Sequence, residues 1–249
     1  MDVRFEQIPS ARISPRDRIG VAFKATWKEK KLTVRALRVD TLTEEHQKLG
    51  SLNHPNITRL EGWFKLGDNI YLVTPIYPTV LSEKLYSENI PFEQRMQWAD
   101  HVHDGLTVLH NANLLHLHLN PNTVLLDSNN QAILTDIACL VSEERPDSSN
   151  SLPFQAPEKL LTENPKPDTR WDIYSFGVFI WCCVTQKKPF AGLSFEMIMF
   201  AISSQKRENI PPNTPPKLAH LIQFCWAQDP NSRPQHMSDI EKSSILFRQ

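Results

Sequence analysis

The spacing of apolar residues changes along the chain and predicts two structurally different parts. Residues 23–39 and 69–74 are runs rich in β-branched and apolar residues, which is typical of strands. Between them, Thr41 and Glu44 have the spacing of a capping box, which predicts a short helix. From Leu81 onward apolar residues recur at steps of three and four, which predicts helices. The clearest series comprises Met96, Ala99, Val102, Leu106 and Leu109.

Composition limits the classes of protein to which the chain can belong. Its 249 residues carry a formal net charge of -1, so there is no electrostatic argument for binding nucleic acid or an anionic membrane. The four cysteines show no C-x-x-C spacing and are expected to be reduced thiols of a cytoplasmic protein. The longest apolar run, residues 174–184, is too short to cross a bilayer and is typical of a buried helix. The length fits one large domain or two small ones.

The most specific pattern is the segment HLHLNPNTVLL at residues 116–126, which resembles the protein-kinase catalytic loop H-R-D-L-x-x-x-N. Four further segments match kinase motifs in family order. They are DIA at 136–138 in the place of D-F-G, APE at 156–158, DIYSFG at 172–177 and WAQDPNSRP at 226–234. Each match alone is weak, but five in this order make a chance resemblance very unlikely.

The resemblance covers roughly residues 12–247 and implies an α+β, bilobal protein-kinase-like fold. Residues 1–249 are then a single kinase-like domain, with residues 12–77 as a small β-rich N-lobe that includes the hinge and residues 78–249 as a larger, mainly α-helical C-lobe. The αC helix is expected to be shortened. The last motif and the segment TQKKPF at 185–190 are most similar to the tyrosine kinase-like branch. Receptor-interacting kinases and the mixed-lineage kinase domain-like pseudokinase belong to that branch.

The resemblance places substitutes at the chemical positions of the catalytic loop. His118 stands in the place of the catalytic Asp, and an imidazole supplies no permanent negative charge, although it can act as a base near neutral pH. Asn120 replaces a lysine that contacts the γ-phosphate. Thr123 replaces the magnesium-holding Asn, and a neutral hydroxyl is a weak magnesium ligand. His116 and His118 have no accompanying cluster of cysteines or carboxylates, so no metal site is predicted.

The phosphate-binding parts of the N-lobe also depart from the family pattern. The glycine-rich loop aligns with residues 15–20 and keeps only Gly20. The third-strand lysine is replaced by Arg35 or by Arg38, depending on a register that the sequence leaves open. In either register a planar guanidinium does not reproduce the contacts of a compact ammonium group.

Asp136 is the one chemical residue of the family that the chain retains. Ile137 and Ala138 replace the Phe and Gly that follow it, and Ala138 removes the backbone freedom of a glycine. The adenine pocket is less altered, with Thr74 at the gatekeeper position. The weak candidates for cofactor binding are Thr74, Pro75, Tyr77, Leu125 and Asp136. ATP with magnesium is expected to bind weakly or not at all, and no cofactor is predicted.

Several residues match positions that support the kinase fold rather than its chemistry. They are Glu45, His116, Glu158, Asp172, Trp226 and Arg233. The resemblance implies a buried ion pair between Glu158 and Arg233, and it implies that Asp172 braces the backbone of the catalytic loop. Glu45 stands at the αC glutamate position and is expected to pair with the third-strand arginine.

These substitutions predict a catalytically inactive pseudokinase, not an enzyme, that acts as a protein-interaction module. Its partner would be an active tyrosine kinase-like or receptor-interacting kinase, with no nucleic acid or membrane involved. The favoured form is an inhibitory decoy, because the protein is expected to lack the helical bundle of the mixed-lineage kinase domain-like effector. A scaffold or allosteric regulator, a nucleotide-binding switch, and a weak phosphotransferase that uses Asp136 and one metal are the alternatives. The serine-rich residues 141–152 are either a solvated loop or a regulated phosphorylation site.

Overall fold

A computed structural model describes six ranges of the chain. They are residues 12–19, 22–27, 30–37, 42–66, 69–137 and 151–246. Side chains are described for residues 32–35, 42–65, 69–137 and 151–245. The molecule has a β-sheet part followed by a mainly helical part, so the predicted α+β, bilobal kinase fold is confirmed.

The first part is a five-stranded antiparallel sheet with strand order β1-β2-β3-β5-β4. Its strands are β1 (Arg12–Ile19), β2 (Ala22–Trp27), β3 (Lys30–Leu37), β4 (Gly62–Leu66) and β5 (Asn69–Pro75). Residues 15–19 of the aligned glycine-rich loop lie within β1, and Gly20 lies outside the described residues. Strand β3 is central because it pairs with both β2 and β5, and Arg35 lies opposite Ala22 on one side and Leu72 on the other.

A short helix, α1 (Glu44–Ser51), connects β3 and β4, as the prediction of a shortened αC helix requires. Its N-cap is Thr43, whose side chain accepts the N–H of His46, while the imidazole of His46 accepts the N–H of Thr43 at 3.0 Å. The predicted box of Thr41 and Glu44 is therefore wrong by two positions at its start, and Thr41 itself lies outside the described residues. A histidine here performs the reciprocal capping that is usually performed by a glutamate.

The second part consists of helices arranged around α5, together with a small three-stranded sheet. The helices are α2 (Leu81–Ser87), α3 (Phe92–Asn111), α4 (Pro157–Leu161), α5 (Thr169–Thr185), α6 (Phe195–Ser203), α7 (Pro216–Cys225) and α8 (Ser243–Leu246). The sheet comprises β6 (Thr79–Val80), β7 (Val124–Leu126) and β8 (Ala132–Leu134). Within the described residues, no helix combines the length and the hydrophobicity of a membrane span.

Helix α5 is the centre of the C-lobe because it is apolar on nearly every side and is buried accordingly. It packs against α3 and α7. Gly177 permits the close approach of α7, since a Cβ atom there would lie 2.7 Å from Cβ of Cys225 and 3.0 Å from the backbone nitrogen of Trp226. This packing fixes the start of α5, where Asp172 lies, beneath the catalytic-loop segment.

Candidate functional site

The cleft end of β3 carries an ion pair between Arg35 and Asp136. Nη2 of Arg35 contacts Oδ1 of Asp136, and their side chains are 17% and 6% exposed. Arg35 lies opposite Leu72 in the sheet, and Asp136 follows β8 with a positive φ of 56°. An aspartate tolerates this left-handed conformation better than most residues do. Of the two arginines that the sequence left open, Arg35 is therefore described at this contact, and Arg38 lies outside the described residues.

The predicted ion pair of Glu45 with the third-strand arginine is not formed with Arg35, and its alternative partner Arg38 lies outside the described residues. Glu45 is exposed on α1, and Arg35 pairs with Asp136 instead. The buried residue of this turn is His46, which is 3% exposed. Because α1 begins at Glu44, a rotation of about 100° per residue places His46 rather than Glu45 toward the core.

The catalytic-loop segment closes on itself through hydrogen bonds. Oγ1 of Thr123 lies 3.0 Å from the carbonyl oxygen of His118 and 2.9 Å from that of Asn120, and it accepts the N–H of Asn120 at 3.1 Å. The amide of Asn120 donates to the carbonyl of His118 at 2.8 Å and accepts the N–H of Asn122 at 2.8 Å. Thr123 is 1% exposed and Asn120 is 6% exposed. These two side chains hold the loop together through hydrogen bonds within the segment itself.

Asp172 holds the backbone of the same segment from below. Its carboxylate accepts the N–H of His116 at 2.8 Å, the N–H of Leu117 at 2.7 Å and a hydrogen bond from Nε2 of His110 at 2.9 Å. Leu117 has a φ of 60°, which is an unfavourable conformation for leucine, so this carboxylate stabilises a strained turn. Nothing in the sequence pattern singled out His110, which belongs to the last turn of α3.

The charge states in this cluster follow from burial and hydrogen bonding. Burial would raise the pKa of the Asp172 carboxyl, but the hydrogen bond from His110 and the remaining lowering interactions outweigh it and keep the pKa below its ordinary value. Burial lowers the pKa of His116, which favours a neutral imidazole. The segment therefore combines a buried anion with a neutral, buried histidine.

Arg233 and Glu158 form a bidentate ion pair at the far side of the C-lobe. Nη1 and Nη2 of Arg233 lie 2.7 and 2.8 Å from the two carboxylate oxygens of Glu158. The arginine side chain is fully buried, donates to the carbonyl of Ala227 at 2.8 Å and lies 5.1 Å from the ring centroid of Tyr174. Trp226 is buried in the adjoining core. This arrangement ties the segment after residue 150 to the end of α7.

The hinge candidates lie at the end of β5 and just beyond it. Thr74 and Pro75 pair with Thr33 and Leu32 of β3, and both are half-buried, as are Tyr77 and Leu125. Burial raises the pKa of the Tyr77 hydroxyl. These positions are compatible with a planar ligand, but no feature of their geometry requires one.

The residues that follow Asp136 are described only in part. Ile137 is fully buried in the main core, whereas Ala138 and residues 141–150 of the serine-rich segment lie outside the described residues.

Within the described ranges, no group of three or more His, Cys, Asp or Glu side chains could hold a metal ion. A cavity of about 450 Å³ lies away from Asp136, between α2, the catalytic-loop segment and the loop before α6.

The sheet with its short helix, the braced catalytic-loop segment and the pair of Glu158 with Arg233 together define a protein kinase domain. Residues 4–243 match the family described as protein tyrosine and serine/threonine kinase, and the chain belongs to this family.

Curated relatives include proteins named as kinases in several organisms. Ankyrin repeat and protein kinase domain-containing protein 1 of Homo sapiens is 27% identical over 227 residues, which cover 84% of this chain and 29% of that protein. Human mitogen-activated protein kinase kinase kinase 7 is 26% identical over 268 residues, which cover 99% of this chain and 43% of that protein. Serine/threonine/tyrosine-protein kinase HT1 of Arabidopsis thaliana is 27% identical over 235 residues, which cover 85% of this chain and 59% of that protein. The chain thus spans less than two thirds of each of these relatives.

The prediction that the chain is not an enzyme is overturned by these comparisons. The family consists of kinases, and the matched relatives carry kinase names. Substituted residues at the catalytic positions do not place the chain outside this family of enzymes. The family match shows that the chain is a protein kinase domain.

Proposed function

We propose that this kinase domain acts chiefly by binding a protein partner in a signalling complex, and that any phosphate transfer it performs is slow. The observation that carries the proposal is the ion pair of Arg35 with Asp136. In phosphate transfer, the aspartate at this position holds the metal that bridges the phosphates. Here a guanidinium already occupies one of its oxygens.

The energetic consequence is a weak affinity for metal-bound ATP. A metal ion that binds Asp136 has to displace Arg35, and separating a largely buried ion pair costs about 3 kcal/mol. Each 1.4 kcal/mol is tenfold in a dissociation constant, so this cost corresponds to roughly a hundredfold weaker binding. Thr123 offers no compensating ligand, since its hydroxyl is buried within the loop.

The buried carboxylates and ion pairs of the C-lobe support a protein surface of defined structure. Asp172 braces the strained turn at Leu117, and Arg233 fixes Glu158 through two short hydrogen bonds. Removing one partner from such a buried pair costs several kcal/mol of stability, on the order of 3–5. A chain that retains both partners is therefore expected to have a well-defined fold. A rigid, preorganised surface lowers the entropic cost of binding a protein.

The kind of partner that we propose is an active kinase of the tyrosine kinase-like branch, such as a receptor-interacting kinase. The similarity of residues 185–190 and 226–234 to that branch supports this choice. In the specific form of an inhibitory decoy, the domain would occupy the kinase in place of its pseudokinase effector. Added domain should then reduce phosphorylation of the effector by the purified kinase in proportion to occupancy. Unchanged phosphorylation at saturating domain would contradict the decoy form.

Thermal-shift titration with ATP, with and without Mg²⁺ or Mn²⁺, tests the main proposal. A ligand present at a hundred times its dissociation constant stabilises the folded state by about 2.7 kcal/mol, so even modest binding is visible. We expect no change in the unfolding midpoint of the wild type under any of these conditions. Arg35→Met removes the guanidinium from Asp136 and should bind metal-bound ATP more tightly than the control Arg59→Met, which changes an exposed arginine outside the cleft. A metal-dependent shift in the wild type would contradict the proposal.

A slow phosphotransferase that uses Asp136 and one metal is the second candidate. It is favoured by the retained aspartate, whose carboxylate lies at the cleft with a φ of 56°, and by the kinase names of the relatives. This candidate predicts a metal-dependent thermal shift together with autophosphorylation that Asp136→Asn abolishes. A nucleotide-binding switch would instead show a shift with ATP alone.

A further inference from the structure

The segment between α1 and β4, residues 52–61, is hydrogen-bonded to β8 of the C-lobe. The N–H of Leu134 donates to the carbonyl of Asn56 at 2.9 Å, and the N–H of Thr58 donates to the carbonyl of Leu134 at 2.8 Å. The side-chain amide of Asn56, which is 4% exposed, donates to the carbonyl of Ala132 at 2.9 Å. These contacts, here called the β8 junction, attach the N-lobe to the small sheet of the C-lobe.

Two histidines extend the β8 junction, and both accept a hydrogen bond. Nδ1 of His54 accepts the N–H of Asn56 at 3.3 Å, and Nδ1 of His101 on α3 accepts the N–H of Ala132 at 3.2 Å. Together with the side-chain amide of Asn56, these contacts form a continuous series of three hydrogen bonds from one imidazole to the other. An imidazole nitrogen that accepts a hydrogen bond carries no proton, so both outer bonds require neutral histidines.

Charged side chains from α3, from the turn after β7 and from the C-terminal segment act on the two histidines. They are Asp100, Asp104, Asp127 and Lys242. Burial is the largest influence and lowers the pKa of His54 and of His101 below the ordinary value, with Lys242 acting in the same direction and the carboxylates against it. Both imidazoles are therefore neutral near pH 7 and become protonated only at acidic pH.

We propose that the β8 junction is a proton-sensitive contact between the two lobes. Protonation places a hydrogen on Nδ1 of His54 and of His101, which turns each acceptor into a donor that faces another N–H group. The outer two hydrogen bonds of the series are then lost, and residues 52–61 separate from β8 more often. This inference goes beyond the proposed function and does not depend on it, because it concerns neither the metal position nor the protein partner.

The β8 junction and the ion pair of Arg35 with Asp136 attach the N-lobe to one short stretch of the C-lobe, residues 132–136. Of these two contacts, only the junction contains histidines. Acidification below about pH 6.5 therefore weakens one attachment selectively, and the orientation of the lobes becomes less fixed.

Hydrogen exchange of single amides, measured by NMR and corrected for the intrinsic effect of pH, tests the proposal. The amides of Thr58 and Leu134 report opening because they donate across the junction. Their protection should fall about tenfold between pH 7.5 and 5.5, since the open form binds protons more tightly than the closed form. The amide of Phe179, in the buried helix α5, should stay better protected at each pH, because the opening is local. Unchanged protection of Thr58 and Leu134, or protection equal to that of Phe179, would overturn the proposal.

His54→Asn combined with His101→Asn is the matched variant, because the asparagine Oδ1 can replace Nδ1 as an acceptor but does not titrate. In this double variant the protection of the junction amides should be the same at pH 5.5 as at pH 7.5. The control is His220→Gln, which removes an exposed histidine and should keep the fall seen in the wild type. A double variant that retains this fall would show that other groups cause it, and the proposal would be wrong.

Lys242→Gln changes the charges at the junction and leaves both histidines in place. Nζ of Lys242 lies 2.7 Å from a carboxylate oxygen of Asp104 and 3.4 Å from one of Asp100, so the variant removes a positive charge and frees two carboxylates. Both changes favour protonation, and the fall in protection should therefore move to higher pH. Lys65→Gln, which changes an exposed lysine on β4, should not move it. A shift to lower pH, or equal behaviour of the two lysine variants, would contradict the proposal.

Discussion

Nη2 of Arg35 and Oδ1 of Asp136 form an ion pair although the two residues are 101 positions apart in the chain. The contact joins the middle of the N-lobe sheet to the segment after β8. It therefore ties the two parts of the domain together at the position where a nucleotide-bound metal would otherwise interact with Asp136. The side chain of Arg35 therefore keeps the Asp136 carboxylate in an ion pair within the domain.

A double-mutant cycle measures the strength of this contact. Arg35→Met is expected to lower the free energy of unfolding by about 3 kcal/mol, because Asp136 is 6% exposed and loses its guanidinium partner. Arg35→Met combined with Asp136→Leu should be less destabilising than the sum of the single changes, with a coupling of about 1–3 kcal/mol. Urea unfolding of the four proteins gives these values. Strictly additive effects would show that the two side chains do not stabilise each other.

The pair of Glu158 with Arg233 should be important for stability. Glu158→Ala leaves a fully buried guanidinium without its carboxylate, and we expect a loss of about 3 kcal/mol in the free energy of unfolding. The control is Glu61→Ala, since Glu61 and Arg59 form a more exposed pair at 3.8 Å, and its midpoint should remain close to that of the wild type. A Glu158→Ala protein that melts like the wild type would refute this role.

His118→Asp alone should leave the rate of phosphate transfer unchanged. The new carboxylate could orient an acceptor hydroxyl, but Arg35 would still pair with Asp136 and the Thr123 hydroxyl would still be buried in the loop. A triple variant, Arg35→Lys with His118→Asp and Thr123→Asn, should be faster than the single one. The measurement is incorporation of labelled phosphate into a generic protein substrate. Equal rates for the two variants, both above wild type, would show that His118 was the only limiting residue.

Stability should fall as the pH decreases below the ordinary histidine pKa of about 6.5. Burial lowers the pKa of His116, and likewise those of His101 and His54, so the unfolded chain binds more protons than the folded one in this range. Stability therefore rises with pH up to about 6.5 and is lost as the pH falls below it, by about 1 kcal/mol per pH unit for the fully buried His116. The Asp172 carboxyl acts in the same direction at lower pH, because its pKa lies below the ordinary value.

Unfolding midpoints of the wild type and two variants between pH 7.5 and 5 test this dependence. His116→Asn should flatten the slope, since it removes a group that must become protonated on unfolding. The exposed His220→Gln serves as the control and should leave the slope as it is in the wild type. An identical slope in all three proteins would assign the pH dependence to other groups.

The motif positions predicted the parts of the site that depend on local sequence. The order of segments gave the two-part fold, and the motifs placed Asp136, Glu158, Asp172 and Arg233 at positions that the structure brings into short contacts. These positions can be identified from the sequence because each lies a fixed number of residues from the start of a recognisable motif. The predicted pairing of Glu45 with Arg35 failed because the helix begins at Glu44 and turns His46 rather than Glu45 toward the core.

By itself the sequence determined the family fold, the shortened first helix and the chemical identity of the side chains at the cleft. Only the tertiary structure decided that Arg35 pairs with Asp136, that Thr123 and Asn120 are used within their own loop, and that His110 supports Asp172. The physical reason is that these contacts depend on strand register and on packing between residues far apart in the chain. Neither quantity is encoded in the spacing of neighbouring residues.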